Sequence, residues 1–307
     1  MQHIYDMIII GGGPAGYTSA LYAARAGLDA LVIERMSAGG QMALTGEINN
    51  YPGFDAGIDG FALGIKMQKG AERFGAKTVY DEVTSVDFSQ KVKILKTTNG
   101  IFYTKTVVIA AGANPRRLGV PMEQEMTGKG VHYCAHCDGR FYKDNTVVVI
   151  GGGNSAAADA LYLSRLAAKV YVVHRRDSLR AEKIYHEPLM QAEAVEFLWN
   201  STVSELIANG RITGVKVKNV KTQSETDIAC DGIFVSIGRK PATEFLGDSV
   251  TIDPMGYVIA DESTRTNING VFAVGDIRTK ALRQIVTAAA DGAVAVHYAE
   301  EYLAEMK

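Results

Sequence analysis

Met7-Ile8-Ile9-Ile10-Gly11-Gly12-Gly13-Pro14-Ala15-Gly16 decides the fold. Its four apolar residues, three of them β-branched, read as a buried strand. The glycines keep the spacing Gly11-x-Gly13-x-x-Gly16, and Tyr17 to Ala26 is then apolar at helical spacing. Strand, glycine turn and helix in that order suit a pyrophosphate. Gly11 permits the tight turn, Gly13 lets backbone approach the phosphates, and Gly16 lets helix lie close on strand. The helix start adds unpaired N–H groups and partial positive charge. A second strand, Ala30 to Ile33, closes at Glu34, whose carboxylate can accept ribose hydroxyl hydrogen bonds.

The pattern recurs. Val147-Val148-Val149-Ile150-Gly151-Gly152-Gly153 repeats the strand and turn, with Ala156 in the third glycine's place, a helical stretch to Ala167 and a strand from Val170 to Val173. Each copy closes with an apolar strand that runs into a glycine and a proline, at Gly112 to Pro115 and at Gly238 to Pro241. This predicts an α/β protein with two Rossmann-like dinucleotide-binding domains, the second inserted into the first. Residues 1–113 and 243–307 would form the first, and 114–242 the second. The last stretch, Arg283 to Met306, is apolar at helical spacing and would return to the first domain.

The two turns differ in charge. Where the first copy has Glu34, the second has His174-Arg175-Arg176, with Arg180 close behind. A carboxylate repels a ribose 2′-phosphate, whereas guanidinium groups hold it with bidentate bonds. NADPH, not NADH, is therefore expected there, against the alternative of a solvated basic face balanced by Asp177 and Glu182. FAD is expected in the first domain, from the tail. Gly270 to Asp276 is one more apolar strand ending in a carboxylate, and a helix starting near Arg283 and Gln284 could aim its positive end at a reduced flavin. The alternative is a strand and turn with a solvated Asp276.

Cys134-Ala135-His136-Cys137-Asp138 precedes the second domain's first glycine-turn strand. Two cysteines three apart can close a disulfide or hold a thiolate of lowered pKa, and Asp138 supplies an adjacent acid. Zinc is the rival, with His132 and His136 close by, but a structural zinc site draws ligand pairs from two segments and no second pair exists. Cys230 reads as a packed free thiol. His136 either tunes Cys134 or faces solvent, and the second reading is favoured.

The chain has 307 residues, 47% of them hydrophobic, and a net charge of −2. That length suits two domains, and no basic stripe points to nucleic acid. No apolar run approaches the ~18 residues of a membrane span, and nothing near Met1 reads as a secretory signal. Cytoplasm is the expected compartment.

The order of these parts resembles the low-molecular-weight thioredoxin reductases along essentially the whole chain. The likeness rests on the Gly-Gly-Gly-Pro-Ala-Gly start, Gly39-Gly40-Gln41 with Asn50-Tyr51-Pro52-Gly53, and Cys134-Ala-His-Cys137-Asp-Gly. It continues through Gly151-Gly-Gly-Asn-Ser-Ala156, His174-Arg-Arg-Asp with Arg180-Ala-Glu-Lys, Gly270-Val-Phe-Ala-Val-Gly-Asp276 and Arg283-Gln284. The resemblance implies an NADPH-dependent thioredoxin-disulfide reductase, homodimeric, with a thioredoxin-like protein as substrate. Cys137 would face the flavin, Cys134 would attack the substrate, and Asp138 would be the general acid. FAD would lie against Gly11, Gly13, Pro14, Ala15, Gly16, Glu34, Arg35, Gly40, Gln41, Asn50, Ala111, Gly112, Gly275, Asp276, Arg283, Gln284 and Ile285. NADPH would lie against Gly151, Gly153, Asn154, Ser155, Ala156, His174, Arg175, Arg176 and Arg180. No metal is expected. His136, Ala111 and Ala242 depart from the commoner residues of the family, and none of them removes a reacting group. The inserted domain is expected to swing about residues 113–116 and 239–243, presenting nicotinamide and disulfide to the flavin in turn. Rival readings are a ferredoxin- or oxygen-linked dithiol flavoenzyme on the same scaffold, and a flavin-binding sensor.

Overall fold

The computed structural model describes residues 3–45 and 47–306. The chain separates into two compact units, Met1–Asn114 with Lys240–Lys307, and Pro115–Arg239.

The first unit begins with β1 (Ile4–Ile10), α1 (Pro14–Arg25), β2 (Ala30–Glu34), α2 (Gly60–Glu72) and β3 (Lys77–Tyr80). A meander follows, β4 (Val83–Asp87), β5 (Lys93–Thr97) and β6 (Ile101–Ile109). The chain leaves through β7 (Ala113–Pro115). The second unit contains α3 (Glu123–Met126), β8 (Val131–His132), α4 (Ala135–Asp138), β9 (Thr146–Ile150), α5 (Asn154–Leu163), β10 (Lys169–Val173), α6 (His186–Gln191) and β11 (Val195–Leu198). It ends with β12 (Ser201–Ala208), β13 (Ile212–Asn219), β14 (Glu225–Ala229) and β15 (Gly232–Val235). The chain returns through β16 (Arg239–Pro241), which pairs with β7, and finishes with β17 (Val271–Ala273) and α7 (Ile285–Glu305).

In the first unit β3, β2, β1 and β6 run parallel, and β5 and β4 add antiparallel strands along the first half of β6. β17 joins the second half, with Val271 opposite Val107 and Ala273 opposite Ile109. The uniformly apolar Met7 to Ile10 is explained by burial on both faces, as parallel strands require. Met7 and Ile9 pack with Ala20 and Ala23 of α1 and Ala295 and Ala299 of α7. Ile8 and Ile10 face the opposite layer, with Leu95, Leu246 and Val258.

The second unit repeats the plan as a parallel sheet ordered β11-β10-β9-β15-β8, with a separate antiparallel sheet β12-β13-β14. The α/β class and the twofold Rossmann-like plan expected from sequence are thus present. Element ends differ in detail. The first helix starts at Pro14, where a missing N–H costs nothing and φ is already helical. The helix after the second turn stops at Leu163, not Ala167, and the last helix starts at Ile285, capped by Gln284 and Thr287.

Candidate functional site

Glycine turns lie at the carboxyl ends of the central strands in both units, where ligands of such sheets bind. In the first, Gly11 has φ +105°, and a Cβ there would lie 2.5 Å from the Ala110 carbonyl oxygen. Only glycine fits. A Cβ on Gly16 would collide with the Gly11 carbonyl, so helix and strand touch through that residue. At Gly13, by contrast, nothing beyond its immediate neighbours in the chain lies within 4 Å of the place a Cβ would take, which leaves room for a phosphate above the start of α1.

Glu34 is 9% exposed. Its carboxylate accepts the Gly12 N–H at 2.6 Å and the Met36 N–H at 2.9 Å. Strand β2 and the turn are therefore locked together, with the carboxylate fixed beside the glycines. Pro14 and Ala15 open α1, and Ala111 and Gly112 follow β6. Gly275 and Asp276 lie in the turn after β17, so four strand ends supply this one edge. Gly40 and Gln41 form a short turn of helix, and Gln41 donates to Asn114 at 2.8 Å. Asn50 donates to Gln284 at 3.1 Å, tying its loop to the start of α7, where Ile285 is the first residue. Arg283 stacks its guanidinium 4.0 Å over the Tyr257 ring, and its Nε is buried without a partner. Arg35 sits apart from the others, exposed, with Glu82 3.5 Å away. The open space at Gly13, the fixed carboxylate and the unpaired Arg283 Nε fit a dinucleotide.

Sequence did not reveal the cluster that supports the β17 turn. Arg278 is 1% exposed and holds Asp291 through its Nε at 2.9 Å and an Nη at 2.8 Å. Lys280 reaches the same carboxylate at 2.8 Å, and the Gly275 N–H donates to it at 2.8 Å. Burial pushes the Asp291 carboxyl up, but these donors outweigh it and hold it below the usual range.

In the second unit Gly151 has φ +145°, and a Cβ would strike the Ser236 carbonyl. Gly153, the cap of α5, again faces open space, and Ala156 is fully buried behind it. Asn154 and Glu182 exchange two hydrogen bonds, 2.8 and 2.9 Å, which fold the basic loop back onto the turn next to Ser155. The Arg180 N–H donates to the Gly152 carbonyl at 2.7 Å. Arg175, Arg176 and Arg180 are exposed and form no ion pair among the described residues. Their acidic neighbours are engaged elsewhere, Asp177 with Lys221 at 3.2 Å and Glu182 with Asn154. Neither carboxylate pairs with these arginines, which stay solvated. His174 is 6% exposed with its Nε2 unpartnered, and burial, then the charges of Arg176 and Arg175, lower its pKa. These groups fit an anion with a planar ring nearby.

Cys134 and Cys137 are joined as a disulfide. Cys134 caps α4, and its carbonyl accepts the N–H groups of Cys137 at 3.2 Å and Asp138 at 3.1 Å. Both cysteines are half-buried. Asp138 Oδ2 lies 3.1 Å from His132 Nδ1, and His132 Nε2 lies 2.7 Å from the Tyr142 hydroxyl. His136 does more than face solvent: one face of its half-exposed ring stacks on Tyr162, with centroids 4.4 Å apart. Cys230 is buried, and burial pushes its thiol up to about 12. Among the described residues no group of three or more His, Cys, Asp or Glu is arranged to hold a metal.

Residues 5–292 match the pyridine nucleotide-disulphide oxidoreductase family. A thioredoxin reductase of Listeria monocytogenes is 46% identical over 308 residues, covering all of this chain and 96% of the relative. One from Bacillus subtilis is 43% identical over 307 residues, covering all of this chain and 97% of its own. Among solved structures, the thioredoxin reductase of Streptococcus pyogenes is 44% identical and superposes with a TM-score of 0.92, covering 99% of this chain and 100% of the other.

Proposed function

From the premise that this chain belongs to the pyridine nucleotide-disulphide oxidoreductase family, we propose that it reduces the disulfide of a thioredoxin-like protein with electrons from NADPH, through FAD. The family implies a flavin and a pyridine nucleotide, and the relatives, matched over nearly their whole length, are thioredoxin reductases. The observation that carries the reading is the half-buried Cys134–Cys137 disulfide, beside a carboxyl group, in a chain with two glycine turns of opposite charge.

FAD suits the first unit, where the Glu34 carboxylate stands by the turn and the positive end of α7 stands by Arg283. NADPH suits the second, because the unpaired guanidinium groups of Arg175, Arg176 and Arg180 match a 2′-phosphate. The units so read would be an FAD-binding and an NADPH-binding domain.

When bound, the flavin relays an electron pair from a nicotinamide hydride to a disulfide. The chain's own sulfurs do the rest. Cys137 would take the position facing a bound flavin, and Cys134 would emerge as the attacking thiolate. Its sulfur displaces one sulfur of the substrate disulfide, and Asp138 supplies the proton that the departing thiolate needs. Cys137 then attacks the mixed disulfide, releasing the second substrate thiol and restoring Cys134–Cys137. Disulfide and nicotinamide loop share a unit joined to the flavin unit by two paired crossings, so a turn about β7 and β16 would present them alternately. A homodimer in the cytoplasm is the expected setting; no described helix is long and apolar enough to cross a membrane.

The test uses the purified holoprotein. Anaerobic NADPH should bleach its yellow colour, and a panel of small disulfide proteins should then be reduced with matching NADPH loss. Material that carries no flavin, or that consumes NADPH only by releasing peroxide, would overturn the reading.

A further inference from the structure

We propose that His132 is a positioning residue for Asp138, the acid of this reaction, and is itself oriented by Tyr142, so that a buried imidazole holds the carboxyl in place beside the dithiol. The inference rests on the proposed function and goes beyond it.

The three side chains form one line within the second unit. Asp138 Oδ2 stands 3.1 Å from His132 Nδ1, and His132 Nε2 stands 2.7 Å from the Tyr142 hydroxyl. The imidazole has little freedom. It stacks on the fully buried Phe234 ring with centroids 5.3 Å apart, and it meets the Tyr142 ring edge-on at 5.3 Å. His132 is 8% exposed and Tyr142 5%. A neutral imidazole carries one N–H, so the partner at one nitrogen dictates what the other can do. If the phenol donates to Nε2, Nδ1–H must donate to the Asp138 carboxylate. If a proton joins the Oδ2–Nδ1 contact, Nε2–H turns to the phenol oxygen and the contact itself is kept. The tautomer follows the proton, and the carboxyl keeps its place in both states.

The charges facing this line are few. Arg211, exposed on the connection between β12 and β13, acts on the Tyr142 hydroxyl, as does Asp231, which accepts the Thr146 N–H. Burial, before the influence of Arg211 and Asp138, pushes the phenol up to about 12, so it stays a neutral hydroxyl at working pH.

The chemistry requires such a device. Two electrons pass from the Cys134–Cys137 dithiol to the substrate disulfide. One sulfur–sulfur bond breaks in the substrate and one re-forms between Cys134 and Cys137. The two sulfur protons end on the substrate; of these, one reaches the dithiol with the NADPH hydride and the other is taken up from solvent. A carboxyl swinging freely would meet the leaving sulfur only part of the time.

The test compares the holoenzyme with His132→Gln, His132→Asn and Tyr142→Phe, using a purified bacterial thioredoxin as substrate. Gln presents its amide where Nε2 stood and nothing to Asp138. Asn presents an amide nitrogen where Nδ1 stood. The expected result is a fall in kcat of about tenfold or more for His132→Gln, with KM for thioredoxin and the rate of NADPH bleaching kept. His132→Asn should recover most of the lost rate, and Tyr142→Phe should fall between the two. A His132→Gln enzyme with wild-type kcat, or an Asn variant as slow as the Gln variant, overturns the inference. If His132→Gln does not fold, Tyr142→Phe decides, since it deletes a single oxygen, and wild-type kcat there also overturns it. A wild-type enzyme that bleaches with NADPH but reduces no thioredoxin instead overturns the proposed function.

Discussion

On the proposed function, loss of Asp138 or of Cys134 would separate the two halves of the reaction. Cys134→Ser should keep bound flavin and NADPH bleaching while losing disulfide reduction, read as NADPH consumption with thioredoxin present. Asp138→Asn should lower the disulfide step by about 10²- to 10⁴-fold, the range of a positioned acid, with bleaching retained. Arg175→Ala with Arg176→Ala should raise KM for NADPH by about tenfold or more, since bonds to a charged group contribute roughly 1.5–3 kcal/mol each, and should leave KM for NADH nearly unmoved. A fourth expectation concerns Cys230. Its thiol is held protonated in the fold at about 12, above its value of about 8.5 in an unfolded chain. The stability it contributes is complete below that unfolded value and is lost as pH rises toward 12. The native protein should therefore leave Cys230 untouched by a thiol reagent near pH 8, and react there only in denaturant.

At the scale of elements, the start of α7 is tied to β17 by charge. Asp291, on the second turn of α7, takes donors from Arg278, Lys280 and the Gly275 N–H. Asp291→Ala would leave the 1%-exposed Arg278 buried with its main partner gone, a loss of about 3–5 kcal/mol, measurable by urea unfolding. Because that carboxyl sits below its ordinary value in the fold, its contribution is present above about pH 4 and fades as pH drops further. Sequence could not have shown this cluster. Arg278 and Asp291 meet by packing of a turn against a helix, and no fixed spacing announces such a pair. The same holds for His132 and Tyr142, which are brought together by the return of the chain after α4. The glycine turns were legible for the opposite reason. Steric demand on Gly11 and Gly16 is local, so it must appear as a spacing in the sequence. The apolar strands were legible too, since both faces of β1 are covered. The meander β4–β5 and the sheet β12–β14 were not, because half-buried antiparallel strands carry a weaker alternation that charged residues such as Lys93 and Lys216 interrupt.

For the whole molecule, the two-part plan was readable because a repeated motif needs no knowledge of packing, whereas the crossings could only be located by their glycine and proline. A cross-link that pins the second unit to the first should abolish turnover, while one pinned arrangement still lets NADPH bleach the flavin. Turnover undiminished in the pinned protein would reject the alternating presentation.

The insertion of the second unit between two pieces of the first also sets an order of events during synthesis. The first unit lacks β17 and α7 until more than a hundred residues of the second have left the ribosome, because the strand that meets Val107 begins only at Val271. The inserted unit is contiguous, so it can close on itself first. Until Ala295 and Ala299 arrive to cover Met7 and Ile9, that side of the nascent sheet stays greasy and open, and a holding chaperone has its natural customer there. Ribosome-bound chains halted near residue 280, far enough for β15 to clear the exit tunnel but not β17, should thus resist protease across 115–239 and be cut within 47–110.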